Sequence, residues 1–416
     1  MGESKIQIHV KNEFAKNYGQ PMLYFIPEWD DRVDPNYDFL TDMHTVDRDT
    51  YTDDVYAHEI YDKPCYDGIL ISKIKIDESK KKRAKVEEAT IQEFLRLPNY
   101  LPIIGDCGAF GYIDQREPPY NTEDILNYYE TLGFDIGVSI DHLIVGKIEK
   151  DPDERLRRYK LTQNNAADFI KKHNEGEYTF TPSGVAQGWD VQSYKEAVIT
   201  LIEMGYKHIS LGGLVRARTN SIMEILESVK PYILDYLQLH LFGVARIDAV
   251  KKFREQGVTS FDSASPLRRA WLGAGSNYFT ITGEKYTAIR VPPVNGHNVR
   301  VRRMIEEGRG SQEIFEELEQ NALTSLRAYD RNELDLENTL QAVLAYDELI
   351  GDKREGHENM YRRVLEDRPW ESCDCKICKQ IGIEVIIFRG NNRNRRRGFH
   401  NTHVFYKRFK RLCPDM

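Results

Sequence analysis

Residues 178–213 read YTFTPSGVAQGWDVQSYKEAVITLIEMGYKHISLGG, and they hold a complete strand–helix–strand unit. A β-prone run (178–187) ends at Gln187-Gly188, a segment with helical periodicity (193–206) follows, and a short apolar run (208–213) closes the unit. Short, largely apolar runs flanking an amphipathic helix point to a parallel sheet covered by helices, because a parallel strand is buried on both faces. The alternation extends outward in both directions. Upstream lie MLYFI (22–26), GILISKI (68–74), LPIIGD (101–106) and DIGVSID (135–141); downstream lie LQLHLFG (237–243) and VTSFD (258–262). Helical patterns such as SIMEILESVKPYI (221–233) and IDAVKKFREQG (247–257) separate the later runs. Eight such runs predict an α/β chain built on a (β/α)8 TIM barrel, with a doubly wound open sheet as the alternative.

The barrel is expected to span 1–298. A helical insertion (299–367) follows it, with EIFEELEQNALTSLRAY and LENTLQAVLAYDELI as its clearest parts, and 368–416 form a small basic subdomain. With 416 residues the chain can bury a full-sized core. No run is long enough to span a bilayer, and MGESKIQIHVKNEF at the N-terminus has no apolar signal core, so no membrane association is expected. Cys65, Cys107 and Cys413 stand alone in sequence, which suits a reducing, cytoplasmic setting.

The other three cysteines fall within six residues, Cys373-Asp374-Cys375-Lys376-Ile377-Cys378, with His400 and His403 downstream. Thiolates at this spacing converge on one centre, and a downstream histidine completes a tetrahedron around Zn2+. Such a closed site is structural rather than catalytic. The net charge of −8 does not by itself suggest nucleic acid, but the distribution is uneven. Residues 30–63 are acidic and tyrosine-rich and are expected to be a solvated loop. The tail after Cys378 carries Arg389, Arg393, Arg395, Arg396, Arg397, Lys407, Arg408, Lys410 and Arg411 among aromatic residues. A basic stripe beside aromatics suits phosphates and stacked bases; a solvated surface is the plainer alternative.

Reactive groups of a barrel gather where strands end and loops begin. Those ends carry Asp106, Asp141, Gln187 with Gly188, the Gly212-Gly213-Leu214 turn, Gly243 and Asp262. Any single aspartate there can be a helix N-cap. Together they suit a substrate rich in N–H donors, since a carboxylate and a carboxamide can read a purine edge while backbone amides hold its carbonyl. Two further carboxylates can serve as nucleophile and as acid/base in retaining glycosyl transfer. A metal-dependent hydrolase would need clustered histidines; His208 and His240 are expected to be isolated and structural.

In this order the segments resemble the tRNA-guanine transglycosylase superfamily over nearly the whole chain. GDCGAF (105–110) is similar to the family's D-S-G-G-F, SID (139–141) to its guanine-reading aspartate segment, and GVAQGW (184–189) to its V-Q-G-G strand end. Gly212-Gly213-Leu214 matches its G-G-L loop, HLFGVA (240–245) its L-M-G-V-G, SFDSASPLRRA (260–270) its F-D-C-V-x-P-T-R, and CDCKIC with His400-Asn401 its C-x-C-x-x-C and H-N. The resemblance implies Asp262 as nucleophile and Asp106 as general acid/base. It also implies Asp141, Gln187, Gly188, Gly212, Gly213 and Leu214 as the base pocket, and Cys373, Cys375, Cys378 and His400, ahead of His403, as ligands of structural Zn2+.

The departures favour the DNA-modifying branch of the superfamily. Where the family usually continues A-V-G-E after G-G-L, this chain has Val215-Arg216-Ala217-Arg218, with no carboxylate to favour an aminomethyl group. The expected reaction therefore exchanges guanine in DNA for a 7-deazaguanine base carrying a neutral group such as a nitrile. The alternatives are the same exchange on tRNA and a noncatalytic zinc-dependent nucleic-acid-binding protein. Arg216, Arg218, Arg268, Arg269, Arg395, Arg396 and Arg397 are the expected phosphate contacts. The enzyme would act as a homodimer or with partner proteins of a DNA-modification system.

Overall fold

The computed structural model describes residues 21–272, 275–294, 299–351 and 356–414. The N-terminal stretch read above for a signal core lies outside them. Eight parallel strands close a barrel in sequence order: β1 (Leu23–Pro27), β2 (Gly68–Ser72), β3 (Ile103–Asp106), β4 (Ile136–Val138), β5 (Thr181–Ala186), β6 (His208–Leu211), β7 (Gln238–Leu241) and β8 (Val258–Asp262). All eight sequence runs are strands, and the closed barrel excludes the open-sheet alternative. Closure is made by β8 against β1, with Leu23 beside Ser260, Tyr24 beside Phe261 and Phe25 beside Asp262.

The interior is filled rather than open. Phe25, Leu70, Ile104, Ile136, Val138 and Val185 form one buried cluster, each side chain contributing roughly 1.5–3 kcal/mol by leaving water. The helices between strands begin where the sequence supplies caps. Asp190 accepts from Ser193 N at 2.7 Å and Ser193 Oγ accepts from Asp190 N at 3.0 Å, a reciprocal start for the helix Val191–Glu203. Among the described residues no helix is long and apolar enough to cross a membrane.

Compactness divides the chain differently from the expected boundaries at 298/299 and 367/368. One unit contains the barrel, within 1–29, 66–264 and 409–416; the other joins 30–65 to 265–408. The physical reason lies inside the second unit, where the acidic loop is the electrostatic partner of the basic run. Arg389 and Arg393 both pair with Asp42. Arg393 also reaches Glu384 and the Phe39 carbonyl, each at 2.6 Å, and Arg389 reaches Glu319. Although burial opposes it, the guanidinium groups of Arg393 and Arg389 hold the Asp42 carboxyl below its ordinary range.

Two expectations are corrected here. The acidic stretch is not simply a solvated loop, since Asp34 and Asp54 are buried along with Arg32 and Val33. Arg396 and Arg397, expected on phosphates, are buried too. Arg397 donates to the carbonyls of Ala270, Val385 and Ile387, and Arg396 to that of Asp34. Guanidinium groups buried in a core and turned onto internal carbonyls are not presented to a polymer. Arg395 is half-buried and donates to Arg32 O at 2.8 Å.

Arg393→Ala should therefore act on stability. It takes one of two guanidinium partners from half-buried Asp42, which keeps Arg389, and from buried Glu384, which keeps Arg327. The loss, at most about 3–5 kcal/mol, should be read as a drop in melting temperature. A variant that melts like the parent but binds nucleic acid less tightly would reverse this assignment.

Candidate active site

The C-terminal ends of the strands carry the site, and each group arrives there by strand register. Asp106 is the last residue of β3 and Asp262 the last of β8, while Asp141 and Gln187 sit one to three residues beyond β4 and β5. Gln187 Nε2 donates to Asp141 Oδ2 at 2.7 Å, both residues being buried. This leaves Gln187 Oε1 buried with no hydrogen-bond partner. Asp106 keeps partial exposure, yet its Oδ1 is sealed and equally unpartnered. Unpaired buried polar atoms are costly, and two at one rim mark where a ligand with complementary groups would bind.

Burial pushes the Asp106 carboxyl up to about 7; hydrogen bonds from Ser72 and Gly108 resist, while the charges of Asp141 and Asp262 add to the rise. Burial also raises Asp141 to about 6 against the pull of Gln187. Asp262 is buried, and its Oδ1 accepts from Gly243 N at 3.0 Å and lies 3.2 Å from His240 Nε2. The Asp106 carboxyl holds a proton near neutrality, and the Asp262 carboxyl is fixed by Gly243 N–H and contacted by His240. That is the division of labour required of an acid/base and a nucleophile.

The Gly212-Gly213-Leu214 turn follows β6. A Cβ at Gly212 would meet Gln187 Nε2 at 2.2 Å, and Gly213 has φ +76°, so neither position accepts a side chain without displacing the amide or straining the turn. Tyr194 Oη donates to Gly212 O at 2.7 Å, and Leu214 is buried, so the turn is held from both sides. Gly188 is buried against Tyr194 and Ser193. Arg216 and Arg218 are exposed on the loop that continues this turn. Arg246 braces that loop through Ala217 O at 2.5 Å, a contact no motif announced. In the second unit Arg268 is half-buried, and Arg269 is exposed.

His240 was expected to be isolated, and it is not. Besides Asp262 it touches Ser260 Oγ, 2.8 Å from its Nδ1. The sequence signal was available in the i, i+2 spacing of Ser260 and Asp262 beside a histidine on the neighbouring strand. His208 remains a structural residue, bonded to Ser183 Oγ at 2.8 Å and held neutral by burial, which lowers it to about 3.

Within the second unit, Cys373, Cys375, Cys378 and His400 bring their ligand atoms within 4.8 Å of one another. His400 Nδ1 lies 3.7, 3.3 and 3.3 Å from the three sulfurs, against edges of about 3.5–3.8 Å for a tetrahedral zinc with sulfur and nitrogen ligands. His400 Nε2 donates to Phe279 O at 2.8 Å, which leaves the Nδ1 lone pair facing the thiolates. The donor set fits a metal. His403 turns away, its Nδ1 3.1 Å from Cys65 Sγ and its ring stacked on Tyr61.

Comparison with known proteins adds independent findings. The family described as queuine tRNA-ribosyltransferase matches residues 69–412. A DNA-guanine transglycosylase of Salmonella montevideo is 44% identical over 330 residues, 77% of this chain and 78% of its own length. A queuine tRNA-ribosyltransferase of Roseiflexus sp. (strain RS-1) is 23% identical over 181 residues, 41% of this chain and 45% of its own.

The raised Asp106 carboxyl has a thermodynamic consequence. Its folded value, about 7, lies above the unfolded value of about 3.8, so ionising it in the native state costs stability between those two pH values. Relative to Asp106→Asn, the parent should lose melting temperature as pH rises from about 4 to 7, with a level difference above that. Thermal melts of both proteins across this range test it; a gap that closes with rising pH contradicts the burial argument.

Proposed function

The chain belongs to the queuine tRNA-ribosyltransferase family, and on that premise we propose that it exchanges guanine in DNA for a 7-deazaguanine, with 7-cyano-7-deazaguanine as the incoming base. The observation that carries the reading is the pair of carboxyl groups: Asp106, held near neutrality with an unpartnered Oδ1, and Asp262, fixed by Gly243 N–H. The 44% identity to a DNA-guanine transglycosylase supports DNA as the polymer. The exposed Arg216 and Arg218, where a carboxylate would otherwise favour an aminomethyl group, support a neutral 7-substituent.

In the proposed reaction a carboxylate oxygen of Asp262 forms a bond to C1′ of the target nucleotide as the bond from C1′ to guanine breaks. Asp106 gives its proton to the departing base. The entering base then surrenders a proton to Asp106, its ring nitrogen bonds C1′, and the Asp262 carboxylate is released. Atoms and charge balance with no nucleotide triphosphate, and two displacements retain configuration. For this cycle Asp106 must start protonated, which a value of about 7 supports. Asp141 and Gln187, with the Gly213 amide, would read both purines through the unpartnered Gln187 Oε1 and the Asp141 carboxyl. The target base must leave its stack to reach this rim. Arg216, Arg218, Arg268 and Arg269 are the proposed phosphate contacts, and the cytoplasm is the proposed compartment.

Parallel incubations with labelled guanine or 7-cyano-7-deazaguanine, each with duplex DNA or tRNA, test the reading. Label should enter DNA, and Asp262→Ala should abolish incorporation and any adduct that survives denaturation. Labelling of tRNA alone would establish the tRNA reaction instead, and exchange at parental rate in Asp262→Ala would remove the nucleophile assignment.

We read the Cys373, Cys375, Cys378 and His400 cluster as a structural Zn2+ site, which supplies cross-linking rather than chemistry. Chelation should lower the melting temperature, with activity falling only as the folded fraction falls. A zinc-free protein with parental stability and activity would count against it.

A further inference from the structure

We infer that His240 is the positioning residue of Asp262: with Gly243 N–H it holds Oδ1, assigns attack to Oδ2, and makes the carboxylate a better leaving group in the second displacement. This rests on the proposed glycosyl-aspartate reaction. An ionised carboxylate only accepts hydrogen bonds, so the His240 nitrogen 3.2 Å from Asp262 Oδ1 carries the proton. Ser260 Oγ, 2.8 Å from Nδ1, holds the ring in that orientation. Oδ1 therefore has two donors, the ring and Gly243 N at 3.0 Å. Among the described residues Oδ2 has no hydrogen-bond partner.

The backbone is built for this contact. Between Leu239 and His240 the register of β7 on β8 shifts by one residue, so that Leu239 faces Val258 but His240 faces Ser260. In an unbroken ladder His240 would face Thr259, on the opposite side of β8 from Asp262. Thr259 Oγ1 instead fills the irregularity, accepting from Leu239 N at 3.0 Å and donating to Leu239 O at 3.1 Å. A bulge of this kind re-aims one side chain at a site. His240 is then held from two further sides, edge-on to Phe25 at 5.9 Å and Phe242 at 5.0 Å.

Donors on Oδ1 withdraw charge from the carboxylate. They stabilise the charge that returns to the carboxylate as its bond to C1′ breaks, which eases departure and stops the glycosyl-enzyme from accumulating. The test uses full-length His240→Phe, which keeps an aromatic ring without the donor, and His240→Gln, which restores an amide donor. His240→Phe is expected to lower kcat about 10–100-fold with KM for the base little changed, and to raise the steady-state share of denaturation-resistant DNA–protein adduct. His240→Gln should recover most of the rate. A correctly melting His240→Phe with parental kcat and adduct share overturns the inference, as does a folded His240→Gln no faster than His240→Phe. Should His240→Phe fail to fold, Ser260→Ala takes its place: reduced kcat at constant KM supports the inference, and parental kinetics overturn it. Asp262→Ala separates the two levels. If that variant still exchanges, the underlying reaction is wrong; if it is inactive while His240→Phe is parental, only the positioning role falls.

Discussion

Closure of the sheet is the constraint on which the site depends. The parallel pairing of β8 with β1 sets Asp262 beside Phe25 and turns eight strand ends into one ring. Groups from different strands, far apart in sequence, then repel, bond and desolvate one another. Asp106 feels the charges of Asp141 and Asp262, and Asp141 is bonded to Gln187. An open sheet would leave β1 and β8 at opposite edges, and the raised Asp106 carboxyl would lose one of its causes.

The second unit is organised by charge neutralisation inside a core. Arg389 and Arg393 are matched by Asp42, Glu319 and Glu384, and Arg397 by three backbone carbonyls. Buried ion pairs of this kind contribute little net stability over apolar packing, but they penalise any arrangement that leaves one member alone. They therefore fix which segment of the loop 30–65 meets the run 389–397. The Cys373, Cys375, Cys378 and His400 cluster belongs to the same unit, with Tyr278 stacked on His400 at 4.0 Å and its hydroxyl 3.3 Å from Cys378 Sγ.

Much of this was legible before any coordinates. The strand positions followed from short runs bounded by turns, and the strand-end residues at 106, 141, 187, 212–214 and 262 do share one end of the barrel. The cysteine spacing named its own cluster, because ligands one and three residues apart have few ways to converge. The basic tail misled because composition records charge and not exposure: Arg396 and Arg397 look like polymer contacts until their carbonyl partners are in view.

The sequence by itself determined the barrel, the order of its strand-end residues and the three-cysteine cluster, since local periodicity and short-range ligand spacing carry those. Only the tertiary structure decided that the arginines are internal, that Asp106 is held near neutrality and that His240 reaches Asp262. The first two depend on desolvation, which leaves no mark in local pattern. The third depends on a one-residue register shift between the neighbouring strands β7 and β8, which the i, i+2 spacing of Ser260 and Asp262 does not fix by itself.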